Sequence, residues 1–135
     1  MIKGVLFDLD ETLLDRMGSL KAFLVEQHAR HPELSRTNID EFLARFITLD
    51  RRGQTRKSVV FQQILSDLLI HSDNLAAKLI DEYTRGFSQF AREFDGLDKL
   101  FIHLRDKHIR IGIVTNGETA SQMRSIPVIG LESRV

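Results

Sequence analysis

An apolar run that stops on two closely spaced carboxylates opens the chain: Gly4-Val5-Leu6-Phe7-Asp8-Leu9-Asp10-Glu11-Thr12-Leu13-Leu14-Asp15. Val5, Leu6 and Phe7 read as a short buried strand. A buried carboxylate without a partner is very costly, so acids at the end of such a strand call for something that pairs their charge. The C-terminal edge of a parallel strand is where open α/β sheets bind ligands. With one residue between them, one carboxylate can attack while the other handles protons. The plainer reading makes Asp8 and Asp10 turn residues and Thr12 the cap of the next helix. A second junction of the same kind lies far downstream. The apolar run Ile109-Arg110-Ile111-Gly112-Ile113-Val114 ends on Thr115-Asn116-Gly117, a hydroxyl, an amide and a glycine.

Between these junctions the periodicity is helical. Leu20, Phe23, Leu24 and Gln27 share one face of a first helix, which must end near His31-Pro32. Thr37 or Asn38 caps a second helix, with Asp40 and Glu41 in its first turn, an apolar face of Phe42, Leu43, Phe46, Ile47 and Leu49, and Gly53 as its end. A third carries Val60, Phe61, Ile64, Leu65, Leu68 and Leu69. A fourth, starting at Ser72 or Asp73, carries Leu75, Leu79, Ile80, Tyr83, Phe87 and Phe90. One apolar face per helix and short connections predict a small bundle. Asp95 or Asp98 then caps a helix bearing Leu100, Phe101 and Leu104, with Lys107 and His108 in its last turn. A last helix is expected after Gly117, kinked or ended by Pro127.

The two junctions together resemble the haloacid dehalogenase-like hydrolase superfamily. Its first motif, an apolar strand followed by D-x-D-x-T, is matched by Asp8, Asp10 and Thr12. Its second, an apolar strand ending in Ser or Thr and often followed by Asn-Gly, is matched by Thr115-Asn116-Gly117. The resemblance implies an α/β fold, a Rossmann-type parallel-sheet core represented in part, with an inserted α-helical cap. The core would be residues 1–15 and 93–135, and the cap residues 16–92. The family also carries a lysine in a third motif and acids in a fourth, both after the second. Residues 118–135 contain no lysine, and Glu132 is not at a strand end. The expectation is therefore an N-terminal portion of such a hydrolase, impaired as a catalyst by itself. Its first strand would have an unpaired edge, a route to association with another chain.

The implied chemistry is phosphate-ester hydrolysis. Asp8 is the natural nucleophile and would form an aspartyl-phosphate. Two repelling anions need a cation between them, and Mg²⁺ suits oxygen ligands. The resemblance implies that Asp8 binds this metal through its side chain and Asp10 through its backbone carbonyl. The Asp10 side chain would protonate the leaving alcohol and then activate water. The Thr115 hydroxyl and Asn116 backbone N–H would bind phosphoryl oxygens, and Thr12 would hold the turn that aims Asp10. The true dehalogenases of the family lack an acid at the position of Asp10, so Asp10 favours phosphoryl transfer. A phosphomutase shares the acid pair and stays open, as does a non-catalytic phosphate-binding module. A receiver-type domain is disfavoured by the long helical insertion.

Composition narrows the partners. With 19 basic and 19 acidic residues, a general nucleic-acid binder is not expected. The absence of cysteine removes disulfides, thiolate metal sites and cysteine nucleophiles. No apolar run approaches membrane-spanning length, and Asp8 interrupts any signal-peptide pattern, so a soluble cytoplasmic protein acting on a small phosphorylated metabolite is expected. His28 and His31, three residues apart, read as surface histidines rather than a metal pair. Asp15 reads as a helix N-cap. The run from Asp50 to Lys57 reads as a solvated, charged turn.

Overall fold

The computed structural model describes residues 1–114. These form an α/β arrangement of two parallel strands and six α-helices: β1 (Gly4–Asp8), α1 (Arg16–Arg30), α2 (Pro32–Ser35), α3 (Ile39–Asp50), α4 (Lys57–Asp67), α5 (Leu75–Gly86), α6 (Leu97–Asp106) and β2 (Arg110–Val114). A single 3-10 turn, Phe87–Phe90, follows α5. No helix among the described residues is long and apolar enough to cross a membrane. The last expected helix, after Gly117, lies outside the described residues.

The chain divides into two compact units, one of residues 1–19 and 88–135, the other Leu20–Phe87. In the first, β1 and β2 pair in parallel, Gly4 opposite Arg110 and Asp8 opposite Val114. Leu9, Leu13, Leu14, Leu97 and Phe101 form its buried core, with Phe7, Ile111 and Ile113 packed against them. Phe7 meets Phe101 edge to face, ring centroids 6.0 Å apart. Val5 and Phe7 are half-buried, whereas Leu6 is 73% exposed. The fully buried strand expected from Val5-Leu6-Phe7 is thus corrected to an alternating one. Among the described residues the core lies on a single face of the β1–β2 pair, and period-2 geometry turns Leu6 away from it.

The second unit is helical throughout. Phe42, Phe46, Val60, Phe61, Ile64, Leu75 and Leu79 are buried, and aromatic edges knit them. Phe46 meets Phe61, and Tyr83 stacks on Phe87 with centroids 4.9 Å apart. Asn38 caps α3 by accepting the Glu41 N–H at 3.0 Å. Helix α3 stops at Asp50, three residues before Gly53, because Arg51 already takes a left-handed conformation (φ 49°).

The apolar face expected for α4 ran on to Leu69, but the helix ends earlier. Leu68 is its C-cap, and Leu69 is left-handed (φ 56°) and 79% exposed. The Ile70 N–H donates to the Leu65 carbonyl at 2.9 Å and the Leu69 N–H to Ser66 at 3.1 Å. This is the paired hydrogen-bond pattern of a helix C-terminus that normally ends on glycine. The same pattern ends α6, with His108 (φ 55°) in the left-handed position and bonds from His108 to Arg105 and from Ile109 to Leu104. A leucine at such a position carries strain of about 1 kcal/mol, and this one buries little in return. Leu69→Gly should therefore raise stability by up to about 1 kcal/mol, read as a higher urea midpoint at unchanged slope. An unchanged or lowered midpoint would show that the Leu69 side chain contributes packing after all.

His28 in α1 and His31, the N-cap of α2, go different ways. His28 is buried and its Nε2 lies 2.9 Å from the Thr37 carbonyl. His31 meets both Glu82 carboxylate oxygens, at 2.8 and 3.0 Å. Gln27 also donates to Glu82, at 2.9 Å. These residues join helices within the unit, and His28 is a core histidine rather than the surface residue expected.

Candidate active site

β1 delivers Asp8 to the C-terminal end of the parallel pair, where its side chain is exposed. The Asp8 Oδ1 accepts the N–H of Leu9 at 3.0 Å. Leu9 is fully buried and Asp10 half-buried, so the leucine between the two acids anchors them to the core.

The chain then turns sharply, and a single carbonyl organises the turn. Leu9 O accepts the N–H groups of Leu13 at 3.0 Å and Leu14 at 2.8 Å, with a longer bond of 3.4 Å from Thr12. Leu13 and Leu14 are buried beside Leu9. Leu14 forms a β-bridge with Asp10 on one side and with Glu93 on the other. The returning chain is stitched in by Asp15 N–H to Arg92 O at 2.8 Å and by Phe94 N–H to Leu13 O at 3.3 Å. Paired backbone groups and three buried leucines hold the loop that carries Asp10. Thr12 is exposed in this turn and contributes its backbone N–H to the Leu9 carbonyl.

The helix cap is Asp15, not Thr12. Its Oδ1 accepts the Gly18 N–H at 2.9 Å, and its carbonyl accepts the Ser19 hydroxyl at 2.6 Å. The Arg92 guanidinium lies 3.6 Å from Asp15 Oδ2, and the Arg92 N–H donates to Ser19 Oγ at 3.1 Å. A Cβ at residue 18 would run into the Asp15 carboxylate and the Arg92 side chain, so only glycine fits the first turn of α1 without disturbing this cross-brace.

A further acid belongs to the loop. Glu11 has φ 61°, the left-handed region. Its Oε1 accepts the Met17 N–H at 2.6 Å, and its own N–H donates to Leu14 O at 2.8 Å. Sequence reasoning passed over Glu11 and Arg92. The glutamate is six residues from the N–H it accepts, beyond the usual capping-box spacing, and Arg92 meets Asp15 across most of the chain.

The second-motif residues Thr115 and Asn116 directly follow Val114, the partner of Asp8 across the sheet, and lie outside the described residues. Asp8, Asp10 and Thr12 are therefore the expected site residues that fall within the described part of the chain. Among the described residues no group of three or more acidic or histidine side chains is arranged to hold a metal. Mg²⁺ is commonly held by one or two carboxylates, with waters and substrate phosphate completing its shell, so a pair of hard oxygen donors at Asp8 and Asp10 fits that ion.

An exposed carboxylate ending a parallel strand, a second acid two residues on in a clamped loop, and a downstream strand ending before Thr-Asn-Gly make up the pattern of the first two motifs. No curated protein sequence matches the chain. A family model described as haloacid dehalogenase-like hydrolase matches residues 5–135, and the chain belongs to that family.

Proposed function

We propose that the chain serves the hydrolysis of a small phosphomonoester through an aspartyl-phosphate on Asp8. The observation that carries this is the pairing of an exposed Asp8 carboxylate at the strand end with Asp10 on a loop pinned by Leu9, Leu13 and Leu14. Asp8 is exposed at the strand end, and backbone hydrogen bonds hold the turn that carries Asp10 two residues on. A dehalogenase would have no use for the second acid, since a halide leaves without a proton.

In the first half-reaction an Asp8 oxygen attacks phosphorus and the bond to the ester oxygen breaks. The departing alkoxide takes a proton from Asp10. In the second, Asp10 removes a proton from water, which attacks the phosphorus of the acyl phosphate and releases inorganic phosphate and free Asp8. Asp8, through its side chain, and Asp10, through its carbonyl, would hold Mg²⁺, which offsets the phosphoryl charge. Thr115 and Asn116 would bind the phosphoryl oxygens, supplying donors where charge develops. The helical unit, inserted between the motifs, would select the substrate.

The test is Mg²⁺-dependent phosphate release by wild type and Asp10→Asn on paired aryl and alkyl esters. Loss of the general acid should cost about 10²–10⁴-fold on an alkyl phosphate. The cost should be far smaller on a nitrophenyl phosphate, whose leaving group needs no proton. Equal losses on both esters would remove Asp10 from proton transfer. Release that persists undiminished after chelation would remove the metal from the scheme.

A further inference from the structure

We infer that Glu11 is a positioning residue, whose carboxylate ties the Asp8–Asp10 loop to the first turn of α1 and so fixes where Asp10 sits. The inference rests on the proposed acid–base role of Asp10, the residue immediately before it. Three observations converge on it. First, Glu11 occupies a left-handed backbone conformation (φ 61°) that glycine would adopt without strain, yet the position carries a long acidic side chain. Second, that side chain accepts the Met17 N–H at 2.6 Å. Gly18, one residue further on, donates its N–H to Asp15 at 2.9 Å. Two successive donors at the head of α1 are thus satisfied by two different acids, and only Glu11 comes from the loop. Third, the Glu11 N–H donates to Leu14 O at 2.8 Å, and Leu14 forms the β-bridge with Asp10. Backbone and side chain of Glu11 therefore hold the segment that follows it at two separate points.

A negative side chain is favoured at this helix end. A cap that served α1 alone, however, would be supplied by Asp15, which is already there. The Glu11 bond adds a closed ring running from the loop through Leu14 to the helix and back. Opening that ring frees the backbone rotation at Glu11 that orients Asp10.

The experiment compares Glu11→Gln, Glu11→Ala and Glu11→Gly in the full chain by residue-resolved amide hydrogen exchange, alongside phosphate release from aryl and alkyl esters. Glutamine keeps the acceptor oxygen, alanine removes it and keeps the backbone strain, and glycine removes both. Exchange at Leu13, Leu14 and Met17 should quicken by about fivefold in the alanine and glycine variants, the scale of one lost capping bond. It should stay near wild type in the glutamine variant, and amides of Phe61 and Leu65 should not change. Turnover of the alkyl ester should fall more than that of the aryl ester in the alanine and glycine variants, with rescue by glutamine. The glycine variant guards against misfolding, since it removes strain while lacking the tether.

Unchanged exchange at Leu13 and Leu14, a glutamine variant as impaired as alanine, or equal losses on both esters would overturn the inference. Where the wild-type chain releases no phosphate, as expected of an impaired catalyst, the exchange comparison by itself decides whether Glu11 tethers the loop.

Discussion

Asp8→Asn is expected to lower Mg²⁺-dependent phosphate release by at least about a thousandfold, because a nucleophile removed from a concerted set of groups costs nearly all of the rate. The amide is a poor nucleophile and, being uncharged, a weaker ligand for a hard cation than the carboxylate it replaces. Folding should survive the change. Asp8 is exposed, and the contact it makes with the Leu9 N–H is one that an amide oxygen can also accept. Circular dichroism and urea midpoint should therefore match wild type while the progress curve stays flat. Retention of more than a tenth of the wild-type rate would take the nucleophile's role away from Asp8.

The largest effect on stability should come from breaking the pair that Asp50 makes with Lys57. Asp50 is 1% exposed, its Oδ1 lies 2.5 Å from Lys57 Nζ, and its Oδ2 accepts the Gly53 N–H at 2.8 Å. Lys57 also donates to the Thr55 carbonyl at 3.1 Å and sits 5.3 Å from the centre of the Tyr83 ring. Breaking a buried pair on one side leaves an uncompensated charge and costs roughly 3–5 kcal/mol. Lys57→Met should cost about that much, since it strands the carboxylate. Asp50→Asn should be milder, because the amide can still accept from Gly53. In the double variant Asp50→Asn/Lys57→Met a substantial part of the loss should return, as no buried ion remains. Urea melts of the three variants measure the coupling. Additive losses would mean that the two side chains do not act as a pair.

That pair also shows what the sequence concealed. The run from Asp50 to Lys57 reads as solvated because its residues are nearly all polar, and Arg51, Arg52 and Arg56 are indeed exposed. Its two ends are different. Asp50 closes α3 and Lys57 opens α4, so each shares a helix face with core residues such as Phe46 and Phe61. A polarity count along the chain cannot see that the two ends neutralise one another. Periodicity was more informative where a helix carries a clean apolar stripe, as with Leu20, Phe23 and Leu24 in α1. It failed at Leu69, where apolar character continues beyond the end of the helix. The Asn38 cap was readable from its chemistry, whereas α6 begins at Gly96 (φ 88°) rather than at either neighbouring aspartate, since backbone conformation made that turn.

At the site the strand-then-acids pattern was legible because it is local. β1 and the Asp8–Leu9–Asp10 spacing follow from a dozen consecutive residues. The clamp was not legible, since Arg92 and Glu93 reach the loop from the far side of the helical insertion. Histidine spacing misled in a similar way. His28 and His31 look like a pair on paper, yet Thr37 and Glu82 take them in separate directions.

The pairing of Gly4 with Arg110 has a consequence for synthesis. β1 leaves the ribosome well before β2, the strand it pairs with, which is the last described element to be made. Throughout that interval Val5-Leu6-Phe7 is an unsatisfied β-segment, the type of sequence that templates aggregation. The helices between have mostly sequence-local contacts, as in the packing of α3 on α4 and α4 on α5, and can form while β1 waits. The waiting strand is bracketed by Lys3 and Asp8, one charge at each end. Flanking charges of this kind act as gatekeepers against edge-to-edge association. Asp8 would then serve the nascent chain as a solubilising charge before it takes up the nucleophile's role proposed for it in the folded one.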